Sequence, residues 1–182
     1  MIPLLTALGL LIAFTTLVAI GWSVAKPGRS LWPPQRYTAA TPFIIWIPTF
    51  SLFGIIIALG VLEWGTIGIP FAVRFLLGVP LIVMGNLGVW LEVSKFGIDQ
   101  TGGAPGSLRT QGLYRYSRNP QYVSDIMIVV GWLILCASPS AMLVGSAAIT
   151  VLIAAPFSEE KWLVSQYGDD YLAYMGRVRR FL

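Results

Sequence analysis

Apolar positions along this chain gather into long runs separated by short polar gaps. The first run extends from Pro3 to about Val24, the second from Pro42 to Leu62, the third from Phe71 to about Val93. Each has the roughly 20 mainly apolar residues that a helix needs to cross a hydrocarbon core. A polar stretch, Ser94–Tyr122, follows and carries glycines at 97, 102, 103, 106 and 112. Two more apolar runs come next, Val123–Ala137 and Pro139–Phe157, and the last segment, Ser158–Leu182, is polar and amphipathic. The pattern predicts an all-α, polytopic membrane protein with about five transmembrane helices and a further C-terminal helix.

Only Ser138 separates the fourth run from the fifth, so these two form a tight helical hairpin. Ser138 can cap the fifth helix, and Pro139 suits its first position, where no amide donor is required. The fourth run is short. Started at Pro120, its helix gains three residues and reaches about 27 Å at about 1.5 Å per residue.

Charge gives this pattern a direction. Lys26, Arg29 and Arg36 lie in the first gap; Lys95, Arg109, Arg115 and Arg118 in the third; Lys161, Arg177, Arg179 and Arg180 in the tail. Five spans put these on one side of the bilayer, which the positive-inside rule makes cytoplasmic, with the N-terminus outside. Arg74, near the outer end of the third span, is the exception. No Lys or Arg precedes Lys26, so the positive region of a signal peptide is missing and the first run is expected to stay as a span. The chain reads as a single domain over residues 1–182. Residues 1–93 are three scaffold spans, and 94–182 hold the loop, the hairpin and the C-terminal helix.

Composition narrows the chemistry. Of 182 residues 56% are hydrophobic and 11% charged, against about 25% charged in soluble domains. The net charge of +4 sits in the gaps, where anionic headgroups meet it, so a lipid bilayer rather than nucleic acid is the expected partner. There is no histidine and only one cysteine, Cys136. A histidine base, a Ser-His-Asp triad, histidine-ligated haem, a Cys/His zinc site and an internal disulfide are therefore excluded, and no metal site is expected. Cys136 lies in an apolar run and reads as packing.

Chemistry-bearing residues concentrate in the third gap and the tail. Asn119 can cap the fourth helix and Pro120 can open it, turning free amides and a positive dipole end toward the interface beside Arg118. That arrangement could hold a carboxylate or phosphate, or be a capped helix anchored at the headgroups. Glu159-Glu160 follows the fifth run; acids are favourable in a first helical turn, and a carboxylate there could also hold an ammonium or ribose. Tyr167, Tyr171 and Tyr174 share one helical face, which reads alone as an interfacial aromatic belt. Glu92 and Asp125 are ionisable groups near span ends, shallow enough to reach water or placed for function. Thr101–Gly106 is glycine-rich without the strand and helix of a phosphate cradle.

The order of these pieces resembles the membrane methyltransferase superfamily of isoprenylcysteine carboxyl methyltransferases and phospholipid methyltransferases. Its pattern is Gly-x-Tyr, Arg-His-Pro-x-Tyr, a helical hairpin, a Glu-Glu pair, and Phe/Tyr-Gly-x-x-Tyr-x-x-Tyr ending in Val-x-Arg. Here these are Gly112-Leu113-Tyr114, Arg118-Asn119-Pro120-Gln121-Tyr122, Glu159-Glu160, and Tyr167-Gly168 through Tyr171, Tyr174 and Val178-Arg179. The likeness covers about residues 99–180. It implies S-adenosylmethionine as methyl donor, bound by Gly106, Ser107, Leu108, Arg109, Gly112, Tyr114, Asn119, Pro120, Gln121, Tyr122 and Glu159. It further implies Arg118, Asn119 and Tyr122 as the catalytic group, and a lipophilic acceptor entering sideways from the membrane.

Asn119 stands where the family has His, and Ser124 where it has Gly. Ala155 stands where isoprenylcysteine enzymes carry a substrate-binding Arg, which counts against an isoprenylcysteine carboxylate. Methyl transfer is an in-line displacement that needs alignment and a dry pocket more than a base. The ring of Tyr114 or Tyr122 could face the sulfonium, worth about 0.5–2 kcal/mol. For an amine acceptor, Glu92, Asp125 or Glu160 could take the proton. Carboxylate, amine and thiol acceptors all remain open. The rival readings are an NADPH-dependent enzyme like the membrane sterol reductases, whose C-terminal halves resemble this superfamily, and a non-catalytic membrane module that keeps the fold.

Overall fold

The computed structural model describes residues 1–96 and 106–182, and among these it is helical with no strand. Five long helices follow in order: α1 (Ile2–Ala25), α2 (Thr41–Leu62), α3 (Phe71–Phe96), α4 (Pro120–Cys136) and α5 (Pro139–Met175). Four of them, all but α4, are long and apolar enough to cross a membrane. The fourth begins at Pro120 and has 17 residues. The Thr101–Pro105 part of the glycine-rich stretch lies outside the described residues.

Large side chains cover the outside of this bundle. Leu4, Phe14, Phe43, Ile44, Leu76 and Trp90 are all exposed. An apolar exterior is what a bilayer solvates. Inside, Ala13 of α1, Leu52, Ile56 and Leu59 of α2, Val129 and Leu133 of α4, and Val144 and Ala148 of α5 form one core.

Helices α3 and α4 meet backbone to backbone. A Cβ added to Gly78 would lie 2.7 Å from the carbonyl oxygen of Gly131, and one added to Gly85 would lie 2.5 Å from that of Ser124. Small residues that permit such approach drive helix association where no hydrophobic gain is available. The short α4 is thus held along α3 from Gly78 to Gly88.

At one end of the bundle, Ser138 joins α4 to α5 as expected. Its hydroxyl accepts from the Ala141 amide at 3.0 Å and donates to Glu63 at 2.7 Å. Arg74 is explained here. Its guanidinium donates to the carbonyls of Leu135 at 2.8 Å and Cys136 at 3.2 Å, a cation on the negative end of α4.

At the other end, the fifth helix runs on through Pro156 and past Phe157 to a kink at Gly168, and a short C-terminal helix follows the kink to Met175. Gly168 has φ 53 and ψ −129, a region that glycine enters without the Cβ clash. The break turns Tyr171 and Tyr174 inward, and both are buried.

Candidate functional site

The second end of the bundle collects the loop before α4, the middle of α5, the C-terminal tail and the loop after α1. Glu159 and Glu160 are neighbours on α5, and about 100° of helical rotation sends them to different partners.

Glu160 faces the tail. It receives Arg118 Nη2 at 2.8 Å and Arg180 Nη2 at 2.7 Å in two salt bridges. Arg118 Nη1 donates further to the carbonyls of Met175 at 3.1 Å and Val178 at 2.8 Å. The Arg180 guanidinium also lies over the Phe157 ring, 4.0 Å from its centroid. Glu160 raises the pKa of Arg180 above its ordinary value by hydrogen bonding. Arg118 and Glu160 are thus a clasp that fastens residues 175–180 to the start of α4.

Asn119 occupies the N-cap position of α4 but its side chain makes no capping bond. Its Nδ2 donates instead to the Arg180 carbonyl at 3.0 Å, which also accepts from Ser117 Oγ at 3.2 Å. The sequence expectation of a side-chain cap therefore fails at this residue, because the tail supplies an acceptor in reach of an amide donor. The tyrosine face does similar work. Tyr167 donates to the Gly106 carbonyl at 2.6 Å and Tyr174 to that of Tyr114 at 2.7 Å. These hydroxyls pin both ends of the described part of the loop to α5, in addition to any place at an interface.

Glu159 faces inward. Its Oε1 accepts from the Tyr122 hydroxyl and from the Trp32 indole at 2.8 Å. Among the described residues no hydrogen bond reaches Oε2. Tyr122 comes from the first turn of α4, and Trp32 from the loop after α1. Trp32 is held in turn: Ser158 donates to its carbonyl, and its amide donates to Ser23 Oγ at 3.0 Å.

Tyr114 belongs to the loop before α4. Its pKa is raised, first by burial and then by the charges of Glu92 and Glu159, against Arg109. Glu92 is buried at 2% exposure. Hydrogen bonds thus bring Tyr122 and Glu159 together and add Trp32. Pro120 is buried and Gln121 half-buried in the first turn of α4. Gly106, Ser107, Arg109 and Gly112 lie exposed along the loop, with Leu108 half-buried. Asp125 is half-buried one turn further along α4 and belongs to neither salt bridge.

Trp32 was invisible as a site residue from the sequence. The signal in the sequence is a Trp-Pro-Pro run in a loop that also carries Lys26, Arg29 and Arg36. Arg180 read as a topology charge and proves to be half of the Glu160 clasp. A buried carboxylate held by Trp32 and Tyr122 through one oxygen, with no hydrogen bond to the other among the described residues, could receive a cationic group. Arg118 and Arg180 share the one carboxylate of Glu160.

The family model of phospholipid methyltransferases matches residues 73–170, more than half of the 182. A steroid 5-alpha-reductase, DET2 of Solanum lycopersicum, is 28% identical over 104 residues, covering 56% of this chain and 39% of that protein. The chain therefore spans well under half the length of that relative. No solved structure matches.

Proposed function

The chain belongs to the phospholipid methyltransferase family, and from that premise we propose that it transfers a methyl group from S-adenosylmethionine to a lipid or other lipophilic acceptor. The observation that carries this reading is Glu159. Its carboxylate is fixed by Tyr122 and Trp32 through one oxygen, and the other is left for a cationic ligand. The methyl donor supplies a sulfonium and an ammonium, both cations. Glu159 would hold the ammonium, and the rings of Tyr114, Tyr122 and Trp32 would exclude water and face positive charge.

Arg118 acts in this scheme as a positioning residue, since its guanidinium is spent on Glu160 and the tail carbonyls. Asn119 does likewise through the Arg180 carbonyl. The loop from Gly106 to Tyr114 closes over the site through Tyr167 and Tyr174. In the membrane we place this end at the cytoplasmic face and the Glu63–Ser138 end outside, which sets the site where a soluble donor and a membrane-dissolved acceptor meet.

Calorimetric titration of the folded protein with S-adenosylmethionine and with its demethylated product tests the reading; no binding of either overturns it. The likeness to a steroid 5-alpha-reductase favours a second reading, reduction with NADPH. Binding of NADPH in place of the sulfonium donor would establish that one.

A further inference from the structure

Among the described residues, Glu92 carries the buried side-chain oxygen that has no hydrogen-bond partner. It is 2% exposed, and its Oε1 is buried with no hydrogen-bond partner. Native structures rarely leave a buried carboxylate oxygen undonated, because the desolvation is not recovered. In a membrane-embedded helix such a group is expensive and marks function.

The helix register says where Glu92 points along the bundle. Gly78 of α3 opposes Gly131 of α4, and Gly85 and Gly88 oppose Ser124. The two helices run antiparallel. One turn beyond Gly88 is Glu92, and one turn before Ser124 is Pro120. Glu92 is therefore carried to the first turn of α4, which bears Tyr122. Tyr114 lies within electrostatic reach of both Glu92 and Glu159. The two carboxylates border one site from different helices.

They differ in what surrounds them. Glu159 is tied to Trp32 in the loop after α1, on the side that water reaches. Around Glu92, the side chains of Leu87, Trp90 and Leu91 are exposed on the apolar exterior of α3. Glu92 itself lies on the face of α3 turned to α4, so an acceptor from the bilayer would reach it between these two helices.

We propose that Glu92 is the acceptor-recognition group of this site: its free oxygen takes a hydrogen bond from the proton-bearing head, a hydroxyl or an amine, of a membrane-dissolved acceptor. An acceptor that arrives as an anion is repelled by it. The naming of this ligand as the methyl acceptor rests on the methyltransferase reading; the subsite itself rests on the buried oxygen and the register.

The test uses the full chain in lipid nanodiscs and three sixteen-carbon probes, hexadecylamine, hexadecanol and palmitate, without methyl donor. Ligand binding raises the unfolding temperature by mass action. The amine and the alcohol should stabilise the wild type, and palmitate should not. Glu92→Gln should weaken the amine about tenfold and admit palmitate. Glu92→Leu should lose the alcohol as well. Binding of S-adenosylmethionine, titrated separately, should stay within about twofold of wild type in both variants.

Equal stabilisation of the wild type by palmitate overturns the proposal, as do wild-type preferences in both variants. Loss of S-adenosylmethionine affinity in Glu92→Gln also overturns it, because Glu92 then serves the cofactor. If Glu92→Leu does not fold, the wild type and Glu92→Gln decide alone. If the wild type ignores S-adenosylmethionine but its head-group preference still follows Glu92, the methyltransferase reading falls and the subsite stands.

Discussion

Trp32 donates its indole N–H to Glu159 Oε1 at 2.8 Å across 127 residues of chain. The bond ties the loop after α1 to the Glu159 carboxylate, so the first helix is more than scaffold. Trp32→Phe keeps a ring and removes the donor. Hydrogen bonds to charged groups are worth about 1.5–3 kcal/mol. S-adenosylmethionine affinity is expected to fall about tenfold, with the unfolding temperature little changed. Calorimetry reads the first and a thermal melt the second. Unchanged affinity would remove Trp32 from the site.

Glu159 itself gives a sharper contrast. Glu159→Gln keeps an oxygen to receive Tyr122 and Trp32, so the fold should hold while the attraction for a cation goes. Binding should weaken at least about tenfold, and Glu159→Ala should abolish it. If Glu159→Gln binds as the wild type does, the carboxylate is structural and the proposed cofactor pose is wrong.

The helices were legible in the sequence because membrane spans are set by local composition and length. Pro120 and Ser138 announced the ends of α4 and α5 by their own chemistry. The family resemblance implied Tyr122 and Glu159 in one pocket, and a hydrogen bond joins the two. Partnerships made across the fold were hidden. Nothing local distinguishes Trp32 from an interfacial tryptophan, or Arg180 from Arg177 and Arg179, until α1 and the tail are packed on α5. Asn119 shows the converse. Its N-cap position was correct, but its side chain chose the Arg180 carbonyl, an acceptor that only tertiary folding delivers.

The clasp on Glu160 should dominate the stability of this end. The side chains of Arg118 and Glu160 are 9% and 6% exposed. Glu160→Ala leaves Arg118 buried without its carboxylate, a change that costs about 3–5 kcal/mol. Arg180 is 32% exposed, and Arg180→Ala should cost about 1 kcal/mol. The double variant Arg118→Ala/Glu160→Ala should lose less than the sum of its singles. Denaturant unfolding in detergent measures all four. A mild Glu160→Ala would show that the tail is not held by this pair.

Close contact of α3 and α4 makes a further prediction. A methyl group at Gly85 would sit 2.5 Å from the Ser124 carbonyl oxygen, whereas one at Gly54 in α2 meets no heavy atom within 4 Å. Gly85→Ala must push two backbones apart and should cost about 1–3 kcal/mol. Gly54→Ala should be neutral or slightly stabilising, since alanine favours helix over glycine. Equal melting temperatures for the two variants would contradict the packing.

Glu63 makes the α4–α5 hairpin sensitive to acid. Following α2, its carboxylate accepts from Ser138 Oγ at 2.7 Å, from the Ser140 amide at 2.9 Å and from Ser140 Oγ at 2.9 Å. These bonds, that of Ser138 above all, hold its pKa below the ordinary value of 4.5, against a smaller opposing effect of burial. The positive end of α5 favours the same charge. A folded pKa below the unfolded one means that the stabilisation is fully present above about pH 4.5 and is lost as pH falls through the folded value. Glu63→Gln cannot titrate. The stability gap between wild type and Glu63→Gln should therefore be flat from about pH 8 to pH 6 and should close below about pH 4.5. Thermal unfolding of both proteins across that range measures the gap. A gap that stayed constant into acid would show that the serine hydroxyls bind the amide as well as the carboxylate, and that Glu63 does not act through its charge.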